Sequence, residues 1–246
     1  MDRLSERGLR NPTGLISLQS KGLFQESSPT TQFKSINSLA LSLLHSPTLT
    51  STGITNKGKY LGLIETGTKN PNGVPTGLDH IKNLGVTHIH LLPVYDYGSV
   101  DESKLHLPQF NWGYDPVNYN VPEGSYSSDP YNGAVRVAEM KQMVKGLHDN
   151  GISVVMDVVY NHVYSAGEYC FNRIVPGYFS RISDSGSYSN GSGCGNDTAS
   201  ERAMVQKFIV DSVCYWADEY HISRNFFGNR MGWSGCSGYS IPVTGT

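Results

Sequence analysis

The chain has 246 residues, of which 16% are charged and 11% aromatic, and its formal net charge is −2. This length suits one large α/β domain or two small ones, and the composition suits a loop-rich α/β protein better than a disordered or coiled-coil one. The near-neutral charge leaves no electrostatic footprint for binding nucleic acid. No apolar run reaches the roughly 18 residues of a transmembrane helix, so no membrane partner is expected.

The first residues and the cysteines bear on cellular location. No apolar segment follows the polar start Met1–Arg7, so no secretory signal is predicted and a cytoplasmic location is expected. The cysteines have no metal-like spacing, and we expect free thiols in a reducing compartment. They are Cys170, Cys194, Cys214 and Cys236.

The first half of the chain changes in character at Gly53. Residues 1–52 are rich in Ser, Thr, Leu and Pro without a lasting amphipathic period, so we leave them unassigned and expect irregular structure. Thr76-x-x-Asp79 is a capping-box-like start for a short helix that Gly85 ends. The following β-branched and apolar stretch, Thr87–Pro93, predicts a strand.

The middle of the chain predicts a loop, a helix and a buried strand. The loop runs from Tyr95 to about Pro130. A helix is predicted from about Asn132 to Asp149, because apolar residues recur on one face. These are Val137, Met140, Val144 and Leu147. The near-continuous apolar run Ile152–Val159 is typical of a strand buried on both faces of a parallel sheet.

A Gly/Ser/Tyr-rich excursion covers about residues 164–198, and a last helix is predicted from about Ala199 to Tyr220. The alternation of strands and helices, with short αβ turns and long βα loops, predicts a parallel α/β architecture. In a (β/α)8 barrel the functional loops follow the strands, so residues at strand ends are the first candidates for a site.

Three polar residues lie at or just past the end of the buried strand. Asp157 interrupts the apolar run, and an unpaired buried charge is costly, so an anchor that orients a neighbour is favoured over direct catalysis. Asn161 and His162 follow it. His162 would be presented at the barrel mouth, where its imidazole can donate to a sugar hydroxyl, although core packing is the alternative.

Aromatic side chains accompany both strand ends. Trp112, Tyr114, Tyr160 and Tyr164 offer flat faces for pyranose rings, with ordinary core packing as the alternative. We place Tyr114 ahead of Trp112 for ligand contact, because Trp often covers a loop from within.

Two segments together resemble the starch-debranching branch of the α-amylase clan, type I pullulanases in particular. They are Phe110–Pro116 (Phe-Asn-Trp-Gly-Tyr-Asp-Pro) and Asp157–His162 (Asp-Val-Val-Tyr-Asn-His). The stretches Thr55–Leu63, Thr76–His88 and Val121–Ser127 are also similar to that family. The resemblance covers about residues 53–222 and implies a partial (β/α)8 barrel.

The resemblance implies roles for individual residues. His162 would contact the sugar in the −1 subsite, Tyr114 would stack on that sugar, and Trp112 would add a further substrate contact. Asp157 would help to place a catalytic arginine, while Asn161 and Asp115 would support the site. The implied parent activity is hydrolysis of α-1,6-glucosidic branches in pullulan, starch or glycogen. The implied partners are these α-glucans and maltooligosaccharides, without a cofactor; calcium is possible.

The resemblance stops at two points. In the family, a strand of the form Asp-Gly-Phe-Arg-Phe-Asp follows His-Ile, but here Ser223–Gly228 follows, and residues 220–246 contain no Asp or Glu. No catalytic residue is therefore identifiable, and this chain is expected to be catalytically incomplete, with 223–246 an unassigned tail. The sequence before Gly53 also does not resemble that family. Abrupt losses of this kind are typical of reading-frame shifts, with genuinely divergent ends as the alternative.

Two other functions stay open from the sequence. One is a related enzyme, an isoamylase or branching-type α-glucan enzyme. The other is a non-catalytic α-glucan-binding protein that uses Tyr114, Trp112 and His162. Catalysis would need carboxylates converging near His162, whereas binding would not.

Overall fold

The structure is a computed structural model that describes residues 35–38, 53–107, 109, 111–227 and 240–242. The strands are β1 (Ser35–Ser38), β2 (His88–Leu91), β3 (Tyr95–Tyr97), β4 (Pro116–Pro122), β5 (Ser153–Val158), β6 (Arg224–Phe227) and β7 (Ser240–Pro242). The α-helices are α1 (Gly77–Asn83), α2 (Gly133–Asp149), α3 (Cys170–Ile174) and α4 (Ala203–Tyr220). Short 3₁₀ helices occur at Tyr60–Ile64, Glu102–Lys104 and Gly124–Tyr126.

The main sheet has the order β1-β2-β5-β6-β7. Its first four strands are parallel and follow chain order, and β7 is antiparallel to β6. In this register Ile89 pairs with Val154, and Asp157 pairs with Phe226. Asp157 therefore lies near the carboxyl end of β5, where the loops after the parallel strands converge.

Strand β5 is the centre of the sheet. Every residue from Val154 to Val158 is buried, as the apolar run predicted for a strand covered on both faces. Helix α2 packs on this core through the predicted apolar stripe. Met140, Val144 and Leu147 are buried, and Val137 packs partly buried against them. Asn132 caps α2, its side-chain oxygen accepting from the Ala134 amide at 3.1 Å.

Helix α4 begins at Ala203, four residues later than the sequence predicted. The backbone before it is engaged elsewhere. The Ala199 amide donates to the Phe179 carbonyl at 2.8 Å, and the Ser200 amide donates to Thr198 at 2.9 Å. The helix ends at Tyr220, and the capping residue His221 adopts the left-handed conformation with φ 55°.

The predicted capping box at α1 is wrong. Thr76 precedes the helix in extended conformation but makes no capping hydrogen bond. Its hydroxyl instead donates to the Thr68 hydroxyl at 2.9 Å, and Asp79 accepts from the Gly67 amide at 2.5 Å. Both side chains hold the preceding turn rather than the helix end.

The segment predicted as a long loop from Tyr95 to Pro130 contains a second, two-stranded sheet. Strands β3 and β4 pair antiparallel with register shifts on either side of Asp96. Tyr95, Tyr97 and Tyr119 from this hairpin are buried in the core. The excursion after β2 is thus an ordered layer over the carboxyl end of the main sheet.

Strand β1 lies within the unassigned segment 1–52, and β6 and β7 lie within the unassigned tail 223–246. Ser223 is also described, the remaining residues of both segments fall outside the described part of the chain, and the three-segment division stays a prediction. Cys170, Cys194 and Cys214 are free and exposed, while Cys236 is outside the described residues. Within the described residues, no helix has the length and hydropathy needed to cross a membrane.

Candidate active site

The excursions after β2 and β5 meet above the carboxyl end of β5. The Tyr164 amide donates to the Pro116 carbonyl at 2.8 Å. Tyr95 donates its hydroxyl to the Val159 carbonyl at 3.1 Å and accepts from the Val159 amide at 2.7 Å. These bonds bring the two sequence motifs, which are far apart along the chain, into one site.

Asp157 lies at the base of this site. Its carboxylate oxygen Oδ2 accepts a 2.7 Å hydrogen bond from the Tyr114 hydroxyl, and His90 Nε2 lies 3.7 Å from the same oxygen. Burial lowers the pKa of His90 to about 4, so its imidazole is neutral at neutral pH. The hydrogen bond joins Asp157 to the aromatic residue of the other motif, and the anchor role of Asp157 stays a prediction.

His162 is also buried and is held from two sides. Its Nδ1 lies 2.8 Å from the Asn161 side-chain oxygen, and its backbone carbonyl accepts from the Tyr119 hydroxyl at 2.6 Å. Burial lowers the pKa of His162, while a hydrogen bond to the Tyr114 backbone and the Asp115 carboxylate act in the opposite direction. The imidazole is therefore neutral at neutral pH and can both donate and accept.

The motif at Asn111–Asp115 forms a self-supporting turn. Asn111 donates to Asp115 at 2.6 Å and accepts from the Gly113 amide at 3.0 Å. Ser99 also donates to Asp115. Gly113 has φ 84°, and a Cβ there would lie 2.7 Å from the Pro93 carbonyl oxygen, so this position requires glycine. Asp115 thus accepts hydrogen bonds within the turn that carries Tyr114, and its site-supporting role stays a prediction.

The aromatic residues divide between core and surface. Tyr160 is buried, stacks on Tyr119 with ring centroids 4.7 Å apart, and shares a 2.6 Å hydrogen bond with Ser212. Tyr164 and Trp112 are 53% and 51% exposed, whereas Tyr114 is partly buried. Tryptophan does not cover the loop from within here, so the reason for placing Tyr114 ahead of Trp112 is wrong. The ligand-contact roles of both residues stay predictions.

Asp197 is a carboxylate near the site that the sequence did not single out. It accepts from the Ser189 hydroxyl at 2.5 Å and from the Gly191 and Ser192 amides at 2.7 Å each. Burial acts to raise the pKa of Asp197, but these hydrogen bonds outweigh it and lower the pKa to about 2. An aspartate that stays ionised at neutral pH cannot act as a general acid.

Among the described residues, one cluster of three acidic side chains has the spacing of a metal site. Ligand atoms of Asp96, Glu102 and Glu123 lie within 4.8 Å of one another. Arg136 donates to Glu102 at 3.1 Å and to Asp96 at 3.5 Å. Its guanidinium supplies positive charge between these carboxylates, and we interpret the group as an ion-pair network.

Comparison with known proteins decides the family. Residues 55–179 match the family described as alpha amylase, catalytic domain, which is half of the chain. The chain belongs to the alpha-amylase family. A pullulanase from Bacillus subtilis (strain 168) is 51% identical over 172 residues, covering 70% of this chain and 24% of that protein. Isoamylase 3, chloroplastic, from Oryza sativa subsp. japonica is 33% identical over 181 residues, covering 68% of this chain and 22% of that protein.

A solved structure agrees with this assignment. Pullulanase from Paenibacillus barengoltzii, in complex with maltohexaose and α-cyclodextrin, has a TM-score of 0.71 and 53% identity over 77% of this chain and 29% of that one. The predicted resemblance to type I pullulanases and the partial (β/α)8 barrel are confirmed. The chain spans about a quarter of the length of these relatives.

Proposed function

We propose that this chain forms the part of a pullulanase-like debranching domain that binds an α-glucan next to the scissile bond. The parent activity is hydrolysis of α-1,6-glucosidic branches in pullulan, starch or glycogen. The observation that carries the proposal is the convergence of Tyr114 and His162, which come from excursions after two different strands and are joined through Asp157 and the Tyr114 backbone. The cytoplasmic location predicted from the sequence is part of the proposal.

The contacts at the site divide the roles of the two residues. Because the Tyr114 hydroxyl is engaged by Asp157, its ring face is the part left to meet a pyranose ring. The neutral imidazole of His162 offers a hydrogen-bonding group to a sugar hydroxyl. Trp112, half exposed at the tip of the same turn, would contact a neighbouring glucose unit.

Turnover requires a second feature. Glycoside hydrolysis with retention needs a nucleophilic carboxylate and a protonated general acid about 5–5.5 Å apart. Among the described residues, Asp115, Asp157 and Asp197 each accept hydrogen bonds that hold the local structure. We therefore expect α-glucan binding without release of reducing ends by this chain.

An isoamylase-type parent activity is the second candidate, because a chloroplastic isoamylase is 33% identical over 68% of the chain. Both enzymes act on branched α-glucans, so the binding site would serve either one. Competition between pullulan-derived maltotriosyl oligosaccharides and branched glycogen fragments for the chain would separate the two specificities.

Calorimetric titration of the purified chain with maltotetraose tests the binding proposal. Tyr114→Ala and His162→Ala should each weaken binding about tenfold, the equivalent of about 1.4 kcal/mol. Two matched controls lie away from the site. Tyr131→Ala changes a tyrosine that precedes α2 and is 76% exposed, and His80→Ala changes a histidine on α1. Unchanged affinity in both site variants would refute the proposal.

Catalytic incompleteness is tested separately on pullulan. The chain should release no reducing ends above a no-enzyme control once contaminating amylase has been excluded. Release well above that control would show that the chain supplies a complete catalytic pair.

A further inference from the structure

The backbone on either side of His162 is fixed by groups from other elements. The Asn161 carbonyl accepts from the Thr198 amide at 2.8 Å, and the His162 carbonyl accepts from the Tyr119 hydroxyl at 2.6 Å. The next residue, Val163, belongs to neither a helix nor a strand. Its two backbone hydrogen-bonding groups therefore need partners from outside regular secondary structure.

Asn196 supplies both partners from a single side chain. Its oxygen Oδ1 accepts from the Val163 amide at 3.0 Å, and its Nδ2 donates to the Val163 carbonyl at 2.7 Å. Asn196 is 3% exposed, and both bonds are buried. The planar amide, with a donor and an acceptor side by side, thus forms the same pair of bonds as a neighbouring antiparallel strand would.

Asp197 holds the neighbouring loop in the shape that presents this amide. Its carboxylate gathers Ser189, Gly191 and Ser192 around itself, and the Ser192 hydroxyl donates to the Asn196 carbonyl at 2.8 Å. The Gly/Ser-rich stretch before Asn196 is consequently wrapped around one charged group. The excursion after β5 folds back so that Asn196, near its end, binds Val163, near its start; we call this pair of bonds the clamp.

From this arrangement we infer that Asn196 is a positioning residue that fixes His162 for contact with the α-glucan. The inference rests on the proposed function for its ligand, but the placement of His162 is a property of the unliganded chain. A displacement of about 1 Å in a positioned group can lower the rate of an enzyme about a hundredfold. The bonds between Asn196 and Val163, one residue from His162, should therefore determine where the imidazole lies.

Asn172 provides a matched control in the same excursion. It is also a buried asparagine that binds backbone at both ends of its amide. Its Nδ2 donates to the Ala166 carbonyl at 2.9 Å, and its Oδ1 accepts from the Ser180 amide at 3.0 Å. Its partners are Ala166 and Ser180 rather than Val163, so Asn172→Asp removes an equivalent structural amide while keeping both bonds between Asn196 and Val163.

The experiment follows the His162 imidazole by NMR and maltotetraose binding by calorimetry in the full chain. Asn196→Asp keeps the side-chain shape but places an oxygen against the Val163 carbonyl. It should shift the His162 ring resonances, raise the pKa of His162 towards its ordinary value, and weaken binding about tenfold. Asn172→Asp should leave the His162 resonances, its pKa and the affinity as in wild type.

The outcomes separate this inference from the proposed function. If the wild-type chain does not bind maltotetraose, the proposed function fails, but the His162 resonances still test the clamp. Equal shifts in the Asn172 and Asn196 variants, or none in the latter, would overturn the inference. Amide exchange in the wild-type chain gives a check that needs no variant: the Val163 amide should be protected, and rapid exchange would also overturn the inference.

Discussion

The two excursions that build the candidate site are held in place by different chemistry. The excursion after β2 is tied to helix α2 by charges, with Arg136 lying against Asp96, Glu102 and the carbonyl of Pro122. The excursion after β5 is closed on itself by the neutral side-chain amides of Asn172 and Asn196. The Asp197 carboxylate that shapes its loop stays ionised near neutral pH, because its pKa is lowered to about 2.

The difference has consequences for how each excursion responds to its surroundings. Buried charges depend on all their partners being present and on their protonation state, because an unpaired charge in the interior is costly. Neutral amides have no protonation state in this range and lose only the bonds they make. Tyr114 belongs to the excursion held by Arg136, and His162 belongs to the one closed by the two amides. Removing the counter-charge or changing the pH near neutrality should therefore destabilise the surroundings of Tyr114 more than those of His162.

The largest expected effect is the loss of Arg136. Its side chain is 12% exposed and donates to Glu102 and to the backbone carbonyls of Pro122 and Pro130. Arg136→Ala leaves two partly buried carboxylates without their counter-charge. Breaking a fully buried ion pair costs about 3–5 kcal/mol, so this partly buried network should lie at the lower end, about 3 kcal/mol. We expect a loss of that size in the free energy of unfolding, measured by urea denaturation.

Arg173→Ala is the control for that measurement. Arg173 belongs to the excursion after β5, its side chain is 69% exposed, and it lies 3.8 Å from Glu168, which is also exposed. Exposed pairs contribute about 0–1 kcal/mol, so this variant should unfold close to wild type. Similar losses in the two arginine variants would erase the proposed difference between the excursions.

The second prediction concerns pH and Glu123, which lies in the charged network. Burial raises the pKa of Glu123 from its ordinary value to about 7, although the amides of Ser125 and Tyr97 donate to its carboxylate. The folded chain thus holds this proton more tightly than the unfolded chain. The resulting stabilisation is fully present below about pH 4.5 and is lost as the pH rises to about 7, a change of about 3 kcal/mol.

His90 must be separated from this effect, because burial lowers its pKa to about 4 and its contribution grows as the pH rises from there towards 6.5. The relevant quantity is the difference in unfolding free energy between wild type and Glu123→Gln. Between pH 4.5 and 7.5, wild type should lose about 3 kcal/mol of unfolding free energy relative to Glu123→Gln. A constant difference across this range would show that Glu123 does not titrate there.

The sequence predicted the elements that have a strong period of their own. Helix α2 and strand β5 followed from apolar spacing, whereas the candidate site residues were named from their place after a strand and from the family resemblance, and their roles stay predictions. The β3–β4 hairpin was missed because its strands are far apart and pair with an irregular register, so no tight turn marks them. Arg136 and Asn196 were missed because their partners are distant along the chain, and only the fold brings them together.

The smallest expected effect is at Tyr114, where the two excursions meet. Tyr114→Phe removes the 2.7 Å bond to Asp157 but keeps the ring. Leaving a buried acceptor without this donor should cost about 1–3 kcal/mol in unfolding free energy, while Tyr131→Phe on the surface should cost nothing measurable. Because the ring face is the proposed sugar contact, maltotetraose affinity should stay within about threefold of wild type, unlike the tenfold loss in Tyr114→Ala. If Tyr114→Phe loses affinity as fully as Tyr114→Ala, the hydroxyl rather than the ring face serves the ligand, and Asp157 shares that role.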